Sequence, residues 1–294
     1  MRSLISVLDL NREDVLNLYQ LFLDFKRGRR EKLDGSVMLL FLESSTRTRL
    51  SFEKACRQLG LETYYAGKGE TSIDKGETLL DTFRTLKYLG FDAVVFRIPF
   101  VLFPYQEYIR EGIVLVNAGD GTHQHPTQGL VDLFTAMEVF GSLEGVKVLF
   151  VGDILHSRVF RSTAPLFRMM GAQIGICGPA TLLPYDPSSL GVSMVFHQVE
   201  EGLRWADLVE YLRLQKERFK ENYISSERSY FAQFGMTKER YEGFKGYVMH
   251  PGPVNLYVDM DPEVVYGERS LVAEQVRNGV FVRMAVMYYL MKDG

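Results

Sequence analysis

The sequence is poor in cysteine and in long uncharged apolar runs, and each shortage excludes a class of protein. Only two cysteines, Cys56 and Cys177, occur among 294 residues, so we expect reduced, buried thiols rather than a disulfide framework. No uncharged apolar run reaches the ~18 residues that a membrane span requires. Acidic residues follow the start of the chain too early for a signal peptide. We therefore expect a cytoplasmic protein without a membrane partner.

A strong positive charge is also lacking. The formal net charge is −3, and the isoelectric point is near 6.0. Such a chain has no overall positive field to hold nucleic acid or an anionic membrane surface, so any cationic site must be local. Apolar residues make up 46% of the chain, which is enough to fill the cores of two domains at this length.

Apolar runs alternate with helical patterns along the whole chain. The first series begins with an amphipathic helix, which has a capping box at Asn11 and Asp14 and is followed by the apolar strand "VMLLFLE". The polar segment "GSLEG" precedes a second series, which ends in a long helix. This alternation predicts an α/β fold with two doubly wound parallel-sheet domains of similar size. We expect one domain over 1–135, with the C-terminal helix of about 273–294 packing back on it, and the other over 146–272.

The stretch "ESSTRTRLSF" lies between a predicted strand and a predicted helix. Free N–H groups at a helix N-terminus, with hydroxyls and a guanidinium beside them, form a phosphate site. The side chains in question are those of Ser45, Thr46, Arg47 and Thr48. The alternative is that the hydroxyls only cap the helix. For Arg49 we expect an ion pair with Glu53, one helical turn further on.

Two other segments have both a functional and a structural interpretation. Residues 66–76, "AGKGETSIDKG", resemble a mobile loop, in which Ser72 and Lys75 matter only if the site needs a lid. His123 and His125 precede a predicted helix, and a His-x-His pair can bind zinc. A histidine at a helix N-terminus can instead stay neutral or donate a hydrogen bond to a substrate oxygen.

Several cationic side chains fall at or just beyond the carboxyl ends of predicted strands, where crevice ligands of parallel sheets bind. They are Arg47, Arg97, His125, Arg158 and Arg213. Gln215 and the turn "HPGP" also follow strands. Gly152 stands alone, without the three glycines of a dinucleotide fingerprint, so NAD binding is poorly supported. In an acidic chain this collection predicts a pair of small polyanionic substrates.

The segments "SSTRTRLSFE", "KGETLLDT", "HPTQ", "DILHSRV", "LRLQKERF" and "HPGPV" stand in the order and spacing of the carbamoyltransferases. The chain resembles that family along nearly its whole length, and within it the aspartate-type branch. The ornithine-type branch is similar in the first half but carries a cysteine after the late histidine and an "SMG" loop. Here His250 is followed by Pro251, Gly252 and Pro253, and glycine at 252 departs from the leucine of many relatives.

The resemblance implies transfer of the carbamoyl group from carbamoyl phosphate to the α-amino group of L-aspartate, a step of pyrimidine biosynthesis, without metal or cofactor. The residues that it implies for the phosphate are Ser45, Thr46, Arg47, Thr48 and Arg97. For the carbonyl oxygen they are Thr48, Arg97 and His125. For the carbamoyl amide they are Gln128 and the turn of Pro251, Gly252 and Pro253, in which Pro251 and Gly252 act through their main-chain carbonyls. For aspartate they are Arg158, Arg213 and Gln215.

The resemblance also implies a homotrimer, in which Ser72 and Lys75 act across a subunit boundary, and closure of the domains on the substrates. Regulatory chains or a dihydroorotase join the trimer in some relatives. Three alternatives remain at this point: an ornithine-type carbamoyltransferase, a zinc-dependent amidohydrolase using His123 and His125, and a non-catalytic anion-binding subunit.

Overall fold

The computed structural model describes residues 3–102, 104–215 and 223–292. Contacts divide the chain into two compact units, unit 1 (Met1–Gln128 with Arg277–Gly294) and unit 2 (Gly129–Val276). The domain limits expected from the sequence, 1–135 with about 273–294 and 146–272, stay a prediction.

Unit 1 has a four-stranded parallel sheet with helices between its strands. Its elements are α1 (Arg12–Lys26), β1 (Ser36–Phe41), α2 (Thr46–Gln58), β2 (Glu62–Gly67), α3 (Leu79–Tyr88), β3 (Ala93–Ile98), α4 (Tyr105–Ile109), β4 (Val114–Asp120) and the start of α5 (Pro126–Phe140). The strand order is β2-β1-β3-β4, and every pairing is parallel. Every residue of the central strand β3 is buried, as expected for a sheet covered on both faces.

Local signals in the sequence set the helix ends of unit 1. Asn11 and Asp14 form the expected capping box at the start of α1. The Thr78 hydroxyl accepts from the Asp81 N–H and caps α3, which begins at Leu79.

Unit 2 is built in the same way around a five-stranded parallel sheet. Its further elements are β5 (Lys147–Gly152), α6 (Arg158–Met169), β6 (Gln173–Cys177), β7 (Met194–Phe196), α7 (Val199–Trp205), β8 (Leu208–Leu212), α8 (Glu227–Phe234), α9 (Lys238–Gly243), β9 (Tyr247–Met249), α10 (Pro262–Val265) and the start of α11 (Val272–Met291). The strand order is β7-β6-β5-β8-β9, again all parallel. Two parallel-sheet α/β domains are therefore confirmed.

The C-terminal helix α11 packs on unit 1, as expected. The Arg283 guanidinium lies 5.1 Å from the centre of the Phe52 ring, and Lys26 donates to the Asn278 side chain at 2.9 Å. The Tyr289 hydroxyl donates to Asp14 at 2.8 Å. These contacts tie α11 to α1 and α2.

The sequence did not predict β2 or α4. Ala66 and Gly67, expected to start a mobile loop, are the last residues of β2, and Ser72–Lys75 form a short 3-10 helix. As an edge strand, β2 buries only its last residue fully. It therefore lacks the alternating or continuous apolar pattern that identifies a strand.

The shortages in the sequence have structural counterparts. Within the described ranges, no helix is long and apolar enough to cross a membrane. Cys56 and Cys177 are both free and buried. Burial raises the pKa of each thiol to about 12, so neither is a thiolate nucleophile near neutral pH.

Candidate active site

Arg97 is held at the carboxyl edge of the unit 1 sheet. The residue is only 8% exposed, and its guanidinium donates to the Glu43 carboxylate at 2.6 Å and to the Ala118 carbonyl at 3.1 Å. Glu43 follows β1, and Ala118 lies in β4, on the other side of β3. Arg97 is thus a preoriented cation between the ends of three strands.

The N-terminus of α2 lies at the same edge and keeps its anion-binding capacity. Ser45 is the N-cap residue, but its side chain makes no capping hydrogen bond, and the first turn contains no acidic residue. Thr46 and Arg47 are exposed, whereas Thr48 is buried. The backbone N–H groups of the first turn and the positive end of the helix dipole favour a bound anion here. This geometry favours the phosphate interpretation over simple capping by Ser45.

The expected ion pair between Arg49 and Glu53 was wrong. Glu53 pairs with Arg57 at 2.7 Å, and the Arg49 guanidinium lies 4.8 Å from the centre of the Tyr65 ring. An acidic residue four positions before a basic one is the favoured order on a helix, and only the Glu53–Arg57 pair has that order.

Asp120, at the end of β4, accepts hydrogen bonds from residues that precede it and residues that follow it in the sequence. Its fully buried carboxylate accepts from the Asn117 side chain at 2.8 Å, the Leu102 N–H at 3.0 Å and the Gln124 N–H at 3.0 Å. The His123 ring lies 3.0 Å from it as well. Asp120 was not among the residues predicted from the sequence, although an acidic residue that ends a buried strand just before a glycine was an available signal.

His125 and Gln128 follow this loop at the start of α5. His125 is buried, and its carbonyl accepts from the Gln128 N–H at 2.9 Å, while Gln128 is half-buried. The ring of His123 instead faces Asp120. Among the described residues, no group of three or more potential ligands could hold a metal ion. Within these ranges, His123 and His125 are thus not part of a group of the size that a structural or catalytic zinc site uses.

The candidate lid follows β2, which lies next to β1 in the sheet. Ser72 and Lys75 are both exposed in the 3-10 helix. Within this segment the Asp74 carboxylate accepts from the Gly69 N–H at 2.8 Å. The lid thus has local order while it leaves both candidate side chains on the surface of unit 1.

In unit 2 the candidate aspartate-binding residues also follow neighbouring strands. Arg158 is the first residue of α6, after β5, and is buried; Arg213 follows β8 and is half-buried. The Ser157 side chain caps α6 by accepting from the Phe160 N–H at 3.1 Å. Gln215 is buried shortly after Arg213. Because β5 and β8 pair, both arginines belong to the same edge of the sheet.

The turn after β9 is fixed by the buried ring of His250. Its Nδ1 accepts from the Gly252 N–H at 2.8 Å, and its Nε2 lies 3.1 Å from the Asp259 carboxylate. Because the Gly252 N–H can only donate, the ring proton belongs on Nε2. The bond between Gly252 and Pro253 is cis, and Gly252 has a φ of 67°. This left-handed conformation favours glycine at position 252.

Comparison with known proteins identifies the family. Residues 2–138 match the carbamoyl-P binding domain of the aspartate/ornithine carbamoyltransferases, and residues 144–290 match their Asp/Orn binding domain. The chain belongs to this family. It is 58% identical over 291 residues to an aspartate carbamoyltransferase catalytic subunit of Aquifex aeolicus (strain VF5), which covers 99% of both chains.

Solved carbamoyltransferases have the same fold. The catalytic subunit of M. jannaschii aspartate transcarbamoylase is 30% identical with a TM-score of 0.85, covering 100% of this chain and 99% of that one. The Trypanosoma cruzi enzyme in complex with carbamoyl phosphate is 29% identical with a TM-score of 0.84, covering 99% and 96%. The resemblance found in the sequence is confirmed.

The structure of this carbamoyltransferase groups the predicted residues into two sets. At the carboxyl edge of the unit 1 sheet are Ser45, Thr46, Arg47, Thr48, Arg97, His125 and Gln128, with Ser72 and Lys75 on the loop after β2. At the corresponding edge of unit 2 are Arg158, Arg213, Gln215, Pro251, Gly252 and Pro253. The roles of these residues and the meeting of the two sets stay predictions.

Proposed function

We propose that this chain is the catalytic chain of an aspartate carbamoyltransferase. It transfers the carbamoyl group of carbamoyl phosphate to the α-amino group of L-aspartate, giving N-carbamoyl-L-aspartate and phosphate for pyrimidine biosynthesis in the cytoplasm. The observation that carries the proposal is the buried, preoriented Arg97 at the same sheet edge as the uncapped N-terminus of α2. The 58% identical Aquifex relative supports the choice of reaction.

The phosphate group binds at α2. Its oxygens accept from the backbone N–H groups of the first turn and from the hydroxyls there, while Arg47 makes a two-pronged contact. The hydroxyls are those of Ser45, Thr46 and Thr48. Lys75 adds a second positive charge from the lid. These groups also carry the charge that grows on phosphate as it leaves.

The carbonyl oxygen of carbamoyl phosphate becomes negative when the amine attacks. Thr48, Arg97 and His125 stabilise that charge, and one such fixed donor is typically worth about 3 to 4 kcal/mol in the barrier. Arg97 is already oriented by Glu43, so little reorganisation is needed at the moment of reaction. Gln128 and the main-chain carbonyls of the turn after β9 orient the amide. A phosphate oxygen takes the proton that the amine loses, so no separate protein base is required.

Two arginines favour aspartate over ornithine as the acceptor. Arg158 and Arg213, supported by Gln215, neutralise and orient two carboxylates. Ornithine has one carboxylate and a cationic side chain, so the second arginine would repel it. The turnover assay that tests the proposal therefore compares these two amines.

We expect purified protein to form a carbamoylated product from carbamoyl phosphate and L-aspartate, and none above background with L-ornithine. Product is measured by colorimetry of the ureido group, with and without a metal chelator. Turnover with ornithine alone favours the ornithine-type enzyme, and chelator-sensitive hydrolysis without an amine favours the zinc hydrolase. Binding of carbamoyl phosphate without turnover favours the non-catalytic subunit.

We further propose that the chain forms a homotrimer with shared active sites. Leu50 on α2 and Tyr64 and Tyr65 on the edge strand β2 are about half exposed, and exposed apolar side chains around an open sheet edge suit an interface. Lys75 lies on the loop that follows β2. A neighbouring copy covering this face would bring Lys75 and Ser72 to its own phosphate site.

Mixed trimers test the sharing of sites. Lys75→Ala and His125→Ala trimers are each expected to be nearly inactive, but dissociating and reassociating them together restores part of the activity. Recovery occurs because some sites then receive an intact Lys75 from one subunit and an intact His125 from the next. Absence of recovery in trimers that sedimentation confirms as mixed contradicts shared sites.

A further inference from the structure

A buried hydrogen-bond chain runs from the His250 turn into the core of unit 2. The His250 N–H donates to the side-chain oxygen of Gln275 at 3.0 Å, and the Gln275 amide nitrogen donates to the Asp132 carboxylate at 2.8 Å. All three residues are buried. A peptide N–H only donates and a carboxylate only accepts, so the Gln275 amide is held in one orientation from both sides.

The far end of this chain is a pair of buried carboxyl groups. Asp132 on α5 also accepts from the Thr163 hydroxyl on α6 at 3.1 Å. Glu210 on β8 interacts with Asp132, and neither residue is exposed. Burial and the nearby Asp132 charge raise the pKa of Glu210 well above its usual range. Glu210 thus favours its neutral form beside the Asp132 carboxyl group, which accepts from Gln275.

The other end of this hydrogen-bond chain is the turn after β9, whose main-chain carbonyls orient the carbamoyl amide in the proposed reaction. β8 pairs with β9, with Glu210 opposite Met249, the residue before His250. The His250 ring holds the Gly252 N–H from one side, and Gln275 holds the His250 main chain from the other. A turn fixed in this way presents its next two carbonyl oxygens in a defined direction.

We propose that Gln275, held by the Asp132 carboxylate, is a positioning residue that fixes the Pro251 and Gly252 carbonyls for recognition of the carbamoyl amide. The inference rests on the proposed function. Carbonyl oxygens accept from the –NH₂ of a carbamoyl group but not from a methyl group in the same place. Gln275 thus contributes to the choice of carbamoyl phosphate over acyl phosphates of the same size.

Acetyl phosphate provides the matched probe, because it has the same phosphate and carbonyl but a methyl group in place of the amide. The measured quantity is the inhibition constant of acetyl phosphate divided by the KM of carbamoyl phosphate. In Gln275→Met this ratio is expected to fall about tenfold, the effect of one hydrogen bond of ordinary strength. The KM of carbamoyl phosphate rises, and the inhibition constant of acetyl phosphate stays within about twofold.

Thr135→Val is the control for general damage to α5. Thr135 is buried one turn after Asp132, and its hydroxyl donates to the Val131 carbonyl at 2.7 Å. This variant loses a buried hydrogen bond on the same helix, so its melting temperature is expected to fall while the ratio of constants stays at the wild-type value. Should Gln275→Met not fold, Gln275→Asn keeps a polar amide in the core. It is expected to lower the ratio as well, because its shorter side chain cannot reach both partners.

The outcomes separate the two proposals. A wild-type ratio in a folded Gln275 variant overturns the positioning role, and so does an equal weakening of both ligands. A wild-type enzyme that does not use carbamoyl phosphate overturns the proposed function instead. A selective loss of carbamoyl phosphate affinity in the Gln275 variants, absent from Thr135→Val, supports the inference.

Discussion

Arg47→Ala is expected to lower the turnover number about 100- to 1,000-fold, the usual effect of removing a donor aimed at charge that develops in the transition state. The side chain of Arg47 is exposed at the uncapped start of α2. Its loss should therefore change the free energy of unfolding by less than about 0.5 kcal/mol. The turnover number with saturating aspartate and a denaturant titration measure the two effects.

The control for Arg47 is Arg57→Ala on the same helix. Arg57 is exposed and pairs with Glu53, so its removal costs one surface ion pair and no donor at the phosphate site. We expect wild-type turnover from this variant. Near-normal activity in Arg47→Ala would remove Arg47 from the phosphate site.

Asp120→Ala is expected to reduce both stability and activity. It leaves the N–H groups of Leu102 and Gln124 without their carboxylate acceptor, and each buried unpaired group costs about 1 to 3 kcal/mol. The loop before His125 also loses its anchor, and a displacement of about 1 Å in a catalytic group can cost roughly 100-fold in rate. Urea unfolding and the turnover number provide the two measurements.

Asp120→Asn separates charge from shape at the same position. Its amide keeps one acceptor oxygen, so some of the four contacts can survive, and we expect losses between those of the wild type and Asp120→Ala. If Asp120→Ala unfolds at the wild-type urea concentration, the carboxylate is not the anchor of this loop.

Much of the fold and the placement of several candidate residues at strand ends were predictable, because parallel sheets give strong sequence signals. Strands such as β3 are buried on both faces and so are continuously apolar. The same topology sends the carboxyl ends of neighbouring strands to one edge. Arg97 near the end of β3 and Arg213 just after β8 could therefore be located from the ends of the apolar runs alone.

The contacts that the sequence did not predict join residues that are far apart in the sequence, or depend on which of two equally spaced residues forms an ion pair. Gln275 contacts Asp132, 143 residues away, and no local pattern indicates such a pair. Asp120 draws one of its contacts from Leu102, 18 residues earlier. On α2, Glu53 has Arg49 four residues before it and Arg57 four residues after it, so spacing alone does not decide which ion pair forms. The favoured order, with the acidic residue first, selects Arg57.

The return of α11 to unit 1 has a consequence for biosynthesis. Residues from Arg277 onward belong to unit 1 yet emerge from the ribosome after all of unit 2. Domains usually fold as they are synthesised, N-terminal first. Here the contacts of Phe52 with Arg283 and of Lys26 with Asn278 can form only after the C-terminal helix has been synthesised. The half of the enzyme that is translated first is thus completed last, and a nascent chain stalled within unit 2 would still lack these contacts.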